Sequence, residues 1–323
     1  MIKSSDFMQN LTEKLITERK INEKSALLYI KNLMTLNNKE PFNNLSFLRN
    51  IEKIDDILDK YQDSTKKTIL ASIVSILNFY KDKPIYKKIY KHYYKKMMNK
   101  AEEIKNKDDQ NEKNIKQSEN WLNWDDILNI KKEHEEKIIE IIKQKKLKPK
   151  EYDILLNYIL LLLYCSIPPR RNKDFMEMYI IKKYNPEHHK NINVFDVSNN
   201  KLIFNEYKTK KKYGTQIIDI SNNEDLINAI HIYFKYNPLN KTKKDITKIT
   251  NKEVIPLLVN YDGSLFNKIN SITRRLNRIF NKKIGSSMLR HIYLSSKYDI
   301  DQMKEDAYNM GHSLEEQKKY MKS

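Results

Sequence analysis

Apolar positions recur at intervals of three and four along most of the chain, and this period predicts helices. Before residue 100 it is carried by SALLYIKNLM (25–34), NIEKIDDILDKY (50–61) and STKKTILASIVSILNFYK (64–81), the last opening on Ser64 as an N-cap. Together they predict a small helical bundle. Pro84 starts another helix, PIYKKIYKHYYKKMMNK (84–100), in which lysines and tyrosines interleave. The stretch that follows, AEEIKNKDDQNEKNIKQSEN (101–120), has almost no apolar residues and reads as a solvated helix or linker. A boundary near Ser118 is therefore expected, with a helical domain and its linker over 1–117 and a second domain over 118–323.

The second domain opens on NWLNWDDILNI (120–130), continues through a charged helical stretch to 148, and reaches an apolar helix over 151–165. The period then changes. Within 193–221 two β-rich runs, KLIFNEYKT (201–209) and GTQIIDI (214–220), are joined by a lysine turn, which predicts a hairpin inside an otherwise helical domain. Beyond it the helical period returns, most clearly in SLFNKINSITRRLNRIF (264–280). No internal repeat is present, and the Asn and Lys bias is spread along the whole chain. The fold class expected is mainly α with a small β-hairpin or sheet.

Charge adds a partner to this picture. The 323 residues carry 61 Lys and Arg against 42 Asp and Glu, a net charge of +19, and a surplus of that size points to a polyanion, nucleic acid first. Codon drift in an A+T-rich genome produces the same surplus and is the bland alternative. The single cysteine, Cys165, excludes a disulfide framework and a Cys-rich zinc site within one chain, and fits a reducing compartment. The opening MIKSSDFMQNLTEK (1–14) lacks the apolar run of a signal peptide, and the longest apolar stretch, ILLNYILLLLYC (154–165), is too short to span a bilayer. A soluble, intracellular protein that is not secreted and has no membrane partner is expected. Gly214, Gly263, Gly285 and Gly311 lie too far apart for a P-loop or a dinucleotide-binding cluster, so no nucleotide cofactor is predicted.

Four short stretches of the second domain carry the candidate chemistry: SIPPRRNKDF with Arg170 and Arg171, the turn YKTKKKYGT with Lys208, SSMLRHIYL with Arg290 and His291, and MGHSLEEQKKY with His312 and Tyr320. Taken singly each has an ordinary structural explanation. Adjacent arginines usually cap or face solvent, a turn lysine is usually a polar turn residue, and one tyrosine among 21 is usually packing. Their order on a basic chain is the informative feature.

That order resembles the tyrosine recombinase (phage integrase) family, in which an Arg, a β-hairpin Lys, a His-x-x-Arg box, a Gly-His pair and a nucleophilic Tyr follow one another. LRHIYLSS and MGHS are the most specific stretches, and PPRRNKDF in an A+T-rich chain resembles the integrases of large DNA viruses or their satellite elements. The resemblance spans most of the chain. It implies a core-binding-like helical domain and a catalytic domain clamped around double-stranded DNA, and cleavage through a 3′-phosphotyrosyl link. No metal or cofactor is implied. A homo-oligomer of two or four on DNA is, acting where DNA is found, in a host nucleus or viral factory if the source is viral.

Residue by residue, the resemblance assigns the first arginine to Arg171, which has Asp174 three positions on, with Arg170 as the alternative. Lys208 takes the hairpin position, with Lys210, Lys211 and Lys212 close by, Arg290 is the second arginine, and His312 is followed eight residues later by Tyr320. One position departs: Ser287 stands three before Arg290, where the box has histidine, and serine can bind a phosphate oxygen but cannot serve as an imidazole base. His291 follows Arg290 directly and is either a substitute or structural. Only Met321, Lys322 and Ser323 follow Tyr320, so protomers are expected to couple through surfaces other than a following helix, or to deliver Tyr320 to a neighbour.

These residue types suit the reaction. A phosphodiester gains negative charge as its phosphorus becomes five-coordinate, and guanidinium groups answer that charge at any working pH with paired hydrogen bonds. A phenol, with a pKa of about 10, must lose its proton as it attacks, and the leaving 5′ oxygen must gain one. For backbone contacts along the duplex the expected residues are Lys66 and Lys67, the Lys/Tyr helix after Pro84, Lys210 in the turn, and Arg274, Arg275 and Arg278. The function expected is site-specific DNA recombination or integration. The alternatives are type IB topoisomerase-like relaxation, or a catalytically silent DNA-binding protein of the same fold, which Ser287 favours.

Overall fold

The computed structural model describes residues 6–109, 113–240, 245–266, 269–296, 300–313, 316–317 and 320, without the side chains of 107–109, 269 and 300–302. The chain divides into two compact units, Met1–Gln110 and Asn111–Ser323. It is mainly helical, with one small mixed sheet. Among the described residues no helix is long and apolar enough to cross a membrane.

The first unit contains α1 (Asp6–Thr17), α2 (Glu23–Leu36), α3 (Ile51–Leu58), α4 (Asp63–Leu77) and α5 (Pro84–Asp109). Its centre is α4, which buries Ile69, Leu70, Ile73 and Leu77 among Leu11, Leu33 and Tyr93. The Tyr93 hydroxyl donates to the carbonyl of Leu48 at 3.0 Å, which satisfies the one polar atom that this ring brings into the core. Gln62, not Ser64, occupies the N-cap of α4, so Ser64 lies inside the first turn. α5 begins at Pro84, where the missing amide hydrogen of proline costs a helix nothing.

The second unit is built around α8 (Pro149–Cys165), which is buried on every side from Tyr158 to Tyr164. A helix apolar all round must be enclosed. Here α7 (Trp124–Ile141), after the short α6 (Ile115–Asn120), and α12 (Glu224–Tyr236) pack against it. Prolines 168 and 169 stop the chain from continuing as helix, so Arg170 and Arg171 leave the end of α8 in extended form before the short α9 (Asn172–Met176). Asn172 fixes that corner: its side chain accepts from the Tyr164 hydroxyl and donates to Thr273, each at 2.8 Å.

The expected hairpin is part of a larger sheet. Strands β1 (Met178–Ile181), β2 (Asn193–Asp196), β3 (Lys201–Phe204), β4 (Gln216–Asp219) and β5 (Ile255–Pro256) lie in the order β4-β3-β2-β1-β5. β1 and β2 run parallel from Met178↔Asn193, joined through α10 (Pro186–His189), and the other pairs are antiparallel. The tip of the β3–β4 hairpin carries a helical turn, α11 (Lys210–Tyr213), rather than a plain lysine loop. Buried Asn193 fixes this tip to α9, because its Nδ2 donates to the carbonyls of Asp174 and Glu206 while its Oδ1 accepts from the amides of Asn205 and Glu206. The helices α13 (Ile269–Phe280), α14 (Ser286–Ser295) and α15 (Ile300–Met310) complete the unit. Of the span expected for α13, Leu265 is bridged to Val259 as extended chain and Ile269 onward is helix; residues 267–268 lie outside the described set.

Candidate active site

Gly311 and His312 owe their positions to the end of α15. The His312 amide donates to the Ala307 carbonyl at 3.1 Å and the Gly311 amide to that of Tyr308 at 3.0 Å, which together form a Schellman ending with Gly311 as its left-handed residue at φ +72°. A Cβ at Gly311 would lie 2.8 Å from the Tyr207 ring, so both backbone and packing require glycine. Three side chains donate to the last carbonyls of this turn: Gln216 to Tyr308, Arg170 to Asn309 and Thr209 to Gly311. The hairpin is thereby tied to the Gly-His corner. His312 is the residue that this ending turns inward, and it is almost fully buried.

The two adjacent arginines do different work. Arg170 is fully buried, its Nε donates to Asp174 at 3.0 Å, and its guanidinium stacks 3.8 Å from the centre of the Phe204 ring. Together with its bond to Asn309 these contacts make it the strut that holds α9, the hairpin and α15 together. Burial pushes the Asp174 carboxyl up, and the charge of Arg170 beside it is the strongest influence in the other direction. Arg171 keeps its Nη1 buried without a hydrogen-bond partner, while its Nη2 donates to Glu316 at 3.3 Å. The acid three positions after Arg171 is thus bonded to Arg170; the charges of both arginines act on His312, and that of Arg171 acts on Arg290 as well.

Arg290 is delivered by the buried face of α14, with Leu289, Tyr293 and Leu294 beside it. Its guanidinium carbon lies 4.7 Å from the centre of the Tyr320 ring, while Nε and Nη1 are buried with no hydrogen-bond partner. Burial lowers its pKa, the Tyr320 ring opposes that shift, and Arg171 adds to it. His312 lies on the same ring, 5.3 Å between centres, and is lowered to about 3, first by burial and then by Arg290. It is neutral at neutral pH. Its Nδ1 faces the carbonyl oxygen of Ser313 at 3.4 Å, a group that can only accept, so the proton belongs on Nδ1 and Nε2 carries the lone pair. Nε2 is buried without a partner.

His291, one residue after Arg290, also belongs to this cluster. Its ring centre is 4.7 Å from that of Tyr320, and its Nδ1 lies 2.5 Å from the Tyr320 backbone oxygen. It anchors the tyrosine's backbone, a role that one sequence position beside an arginine does not reveal. Ser287 is exposed one turn before Arg290. Lys208 is exposed in the turn after β3, next to Thr209, whose hydroxyl is bonded to Gly311. Lys210 is instead bonded to Glu206 at 2.5 Å. The structure therefore brings Arg171, Arg290, His291, His312 and Tyr320 together, with Arg170 and Asp174 behind them.

The basic residues expected to follow the duplex divide into two kinds. Arg274 and Arg278 are exposed one turn apart on α13. Arg275, between them, is turned inward, with Nη1 on Asn157 at 2.9 Å and Nη2 on Asp153 at 3.0 Å. It is a packing residue of the second unit, not part of an exposed basic face. In the first unit Lys66 is paired with Asp59 at 2.9 Å, and Lys67 beside it is half-buried. Among the described residues no group of three or more His, Cys, Asp or Glu is placed to hold a metal ion. No protein-family profile, curated protein or solved structure matches the chain.

Proposed function

We propose that the chain cleaves and rejoins double-stranded DNA as a tyrosine-class site-specific recombinase or integrase, with Tyr320 as nucleophile. One observation carries the proposal: Arg290 Nε and Nη1 and His312 Nε2 are buried without partners beside the ring of Tyr320, and Arg171, whose charge acts on both Arg290 and His312, keeps its Nη1 buried without a partner as well. Buried donors left unpaired are costly and uncommon, and three guanidinium N–H positions of this kind suit a ligand rich in acceptor oxygens, while the free lone pair of His312 Nε2 suits a proton to be taken. A tetrahedral phosphate supplies such oxygens together with the charge that two guanidinium groups require.

The chemistry follows from the positions. Arg171 and Arg290 bind the non-bridging oxygens and stabilise the charge that builds on them; loss of one such donor costs roughly a hundredfold in rate. His312 Nε2 takes the phenolic proton as the Tyr320 oxygen bonds to phosphorus. An anion between the arginines also cancels part of the repulsion that lowers His312, so binding makes this histidine a better base. Lys208, at the hairpin tip, gives a proton to the departing 5′ oxygen. Attack of a 5′-hydroxyl on the phosphotyrosyl link reverses these steps and reseals the strand.

On this reading the unit Met1–Gln110 serves as a core-binding domain and Asn111–Ser323 as the catalytic domain. Strand exchange calls for two or four protomers on DNA. Ser287, exposed where the family's box has histidine, favours a second reading, DNA binding without cleavage, and relaxation by a type IB topoisomerase-like protomer is the alternative within the same chemistry. Nicked suicide duplexes, incubated with the protein and with Tyr320→Phe in EDTA, distinguish strand cleavage from silent binding, and the number of protomers assembled on DNA distinguishes recombination from relaxation by one protomer. A denaturant-stable adduct that is lost in the variant supports strand cleavage, and binding without any adduct across a broad duplex library supports the silent binder.

A further inference from the structure

Glu316 lies midway between His312 and Tyr320, and its carboxylate is the only acceptor that the described residues place on the Arg171 guanidinium, Oε1 to Nη2 at 3.3 Å. We propose that Glu316 is an internal competitor for the phosphate seat, occupying Arg171 while DNA is absent and giving way when a phosphodiester arrives. The proposal rests on the reading of Arg171, Arg290 and His312 as that seat. Three observations support it. A carboxylate presents its oxygens to guanidinium much as a phosphate does, so the two compete for the same donors. The contact is single and long rather than a two-bond fork, and Arg171 Nη1 beside it remains buried and unbonded, so Glu316 fills the seat incompletely.

The third observation is exposure. The Glu316 side chain is 35% exposed against 15% for Arg171, so the carboxylate can turn into water at little desolvation cost while the arginine stays in place. The backbone at this point is held independently, because the Glu316 amide donates to Ser313 Oγ at 3.2 Å. Release of the carboxylate therefore leaves that amide bond intact. The consequence is selectivity: an anion must offer more to the cluster than the resident carboxylate does, and a phosphate bridging Arg171 and Arg290 meets that condition where a monodentate anion does not.

The test titrates inorganic phosphate against the full chain, following the phosphorus line width, for the wild type, Glu316→Gln, Glu316→Ala and Arg290→Ala, each checked for folding by its thermal transition. Removal of one partly exposed ion pair is expected to tighten phosphate about fivefold in both Glu316 variants. The alanine variant guards against a glutamine that merely rebinds Arg171. Unchanged or weaker phosphate binding in both, with binding still lost in Arg290→Ala, would overturn the competitor and leave the phosphate seat standing. Binding that survives Arg290→Ala unchanged would overturn the seat itself.

Discussion

Gly311→Ala tests the corner on which the whole site depends. A left-handed backbone costs a residue with a Cβ about 1–2 kcal/mol, and Gly311 sits at φ +72°. The new Cβ would meet Tyr207 Cε2 at 2.8 Å and Cδ2 at 3.0 Å, contacts that require the ring to move. That ring is pinned by its hydroxyl, which donates to the Gly214 carbonyl at 2.7 Å, so displacing it forfeits a bond worth about 1 kcal/mol. Against these stands a gain of about 0.4–1 kcal/mol from restricting the unfolded chain. The net expectation is a loss of about 1–2.6 kcal/mol.

Gly263→Ala is the control, since its φ of +83° imposes similar backbone strain but the added Cβ meets only Leu239 Cδ2, at 3.2 Å. It is expected to lose about 1 kcal/mol. Urea unfolding followed by tryptophan fluorescence reads the right part of the molecule, because both tryptophans, Trp121 and Trp124, belong to the second unit. Equal losses for the two variants would refute the close packing of the Gly311 corner against the hairpin, and with it the account of how His312 is placed.

Three further outcomes are expected. Arg170→Met should cost about 3–5 kcal/mol, because Asp174 is left charged and buried, and Arg170→Met with Asp174→Leu should recover much of it, both read by urea unfolding. His312, lowered to about 3 against an unfolded value near 6.5, binds its proton only in the unfolded chain between those values. The wild type should thus lose stability relative to His312→Gln as pH falls below 6.5, by up to about 2 kcal/mol at pH 5, and identical pH profiles would contradict the buried neutral histidine. Arg274→Ala with Arg278→Ala should lower the slope of log affinity for duplex DNA against log salt by about 2, whereas Arg275→Ala should destabilise the protein without changing that slope.

The helices and the hairpin were legible in the sequence because their periods are local. β1 and β2 were not. Each is four residues long and largely or wholly buried, so neither shows the alternation that marks a strand with one wet face. The Gly-His pair was legible as a motif, but its physical cause, a Schellman ending packed on Tyr207, depends on residues about a hundred positions away. Spacing pointed from Arg171 to Asp174, and the fold bonds Asp174 to Arg170, since the extended chain after Pro169 sends consecutive side chains in different directions. Arg275 looks like its neighbours Arg274 and Arg278 in sequence, yet helical geometry turns it 100° away from Arg274 and into the core. Nothing local marks His291 as the anchor of the Tyr320 backbone or Glu316 as the partner of Arg171.

The central claim is that Tyr320 forms the bond to DNA. The most direct measurement takes the denaturant-stable product of a nicked duplex, digests protein and DNA, and locates the residual nucleotide by mass spectrometry. A 3′-phosphonucleotide on the peptide that contains Tyr320, formed in EDTA and formed roughly a hundredfold more slowly by Arg290→Ala, is the expected result. A nucleotide on any other residue, or a Tyr320→Phe protein that still forms the adduct, would contradict the account.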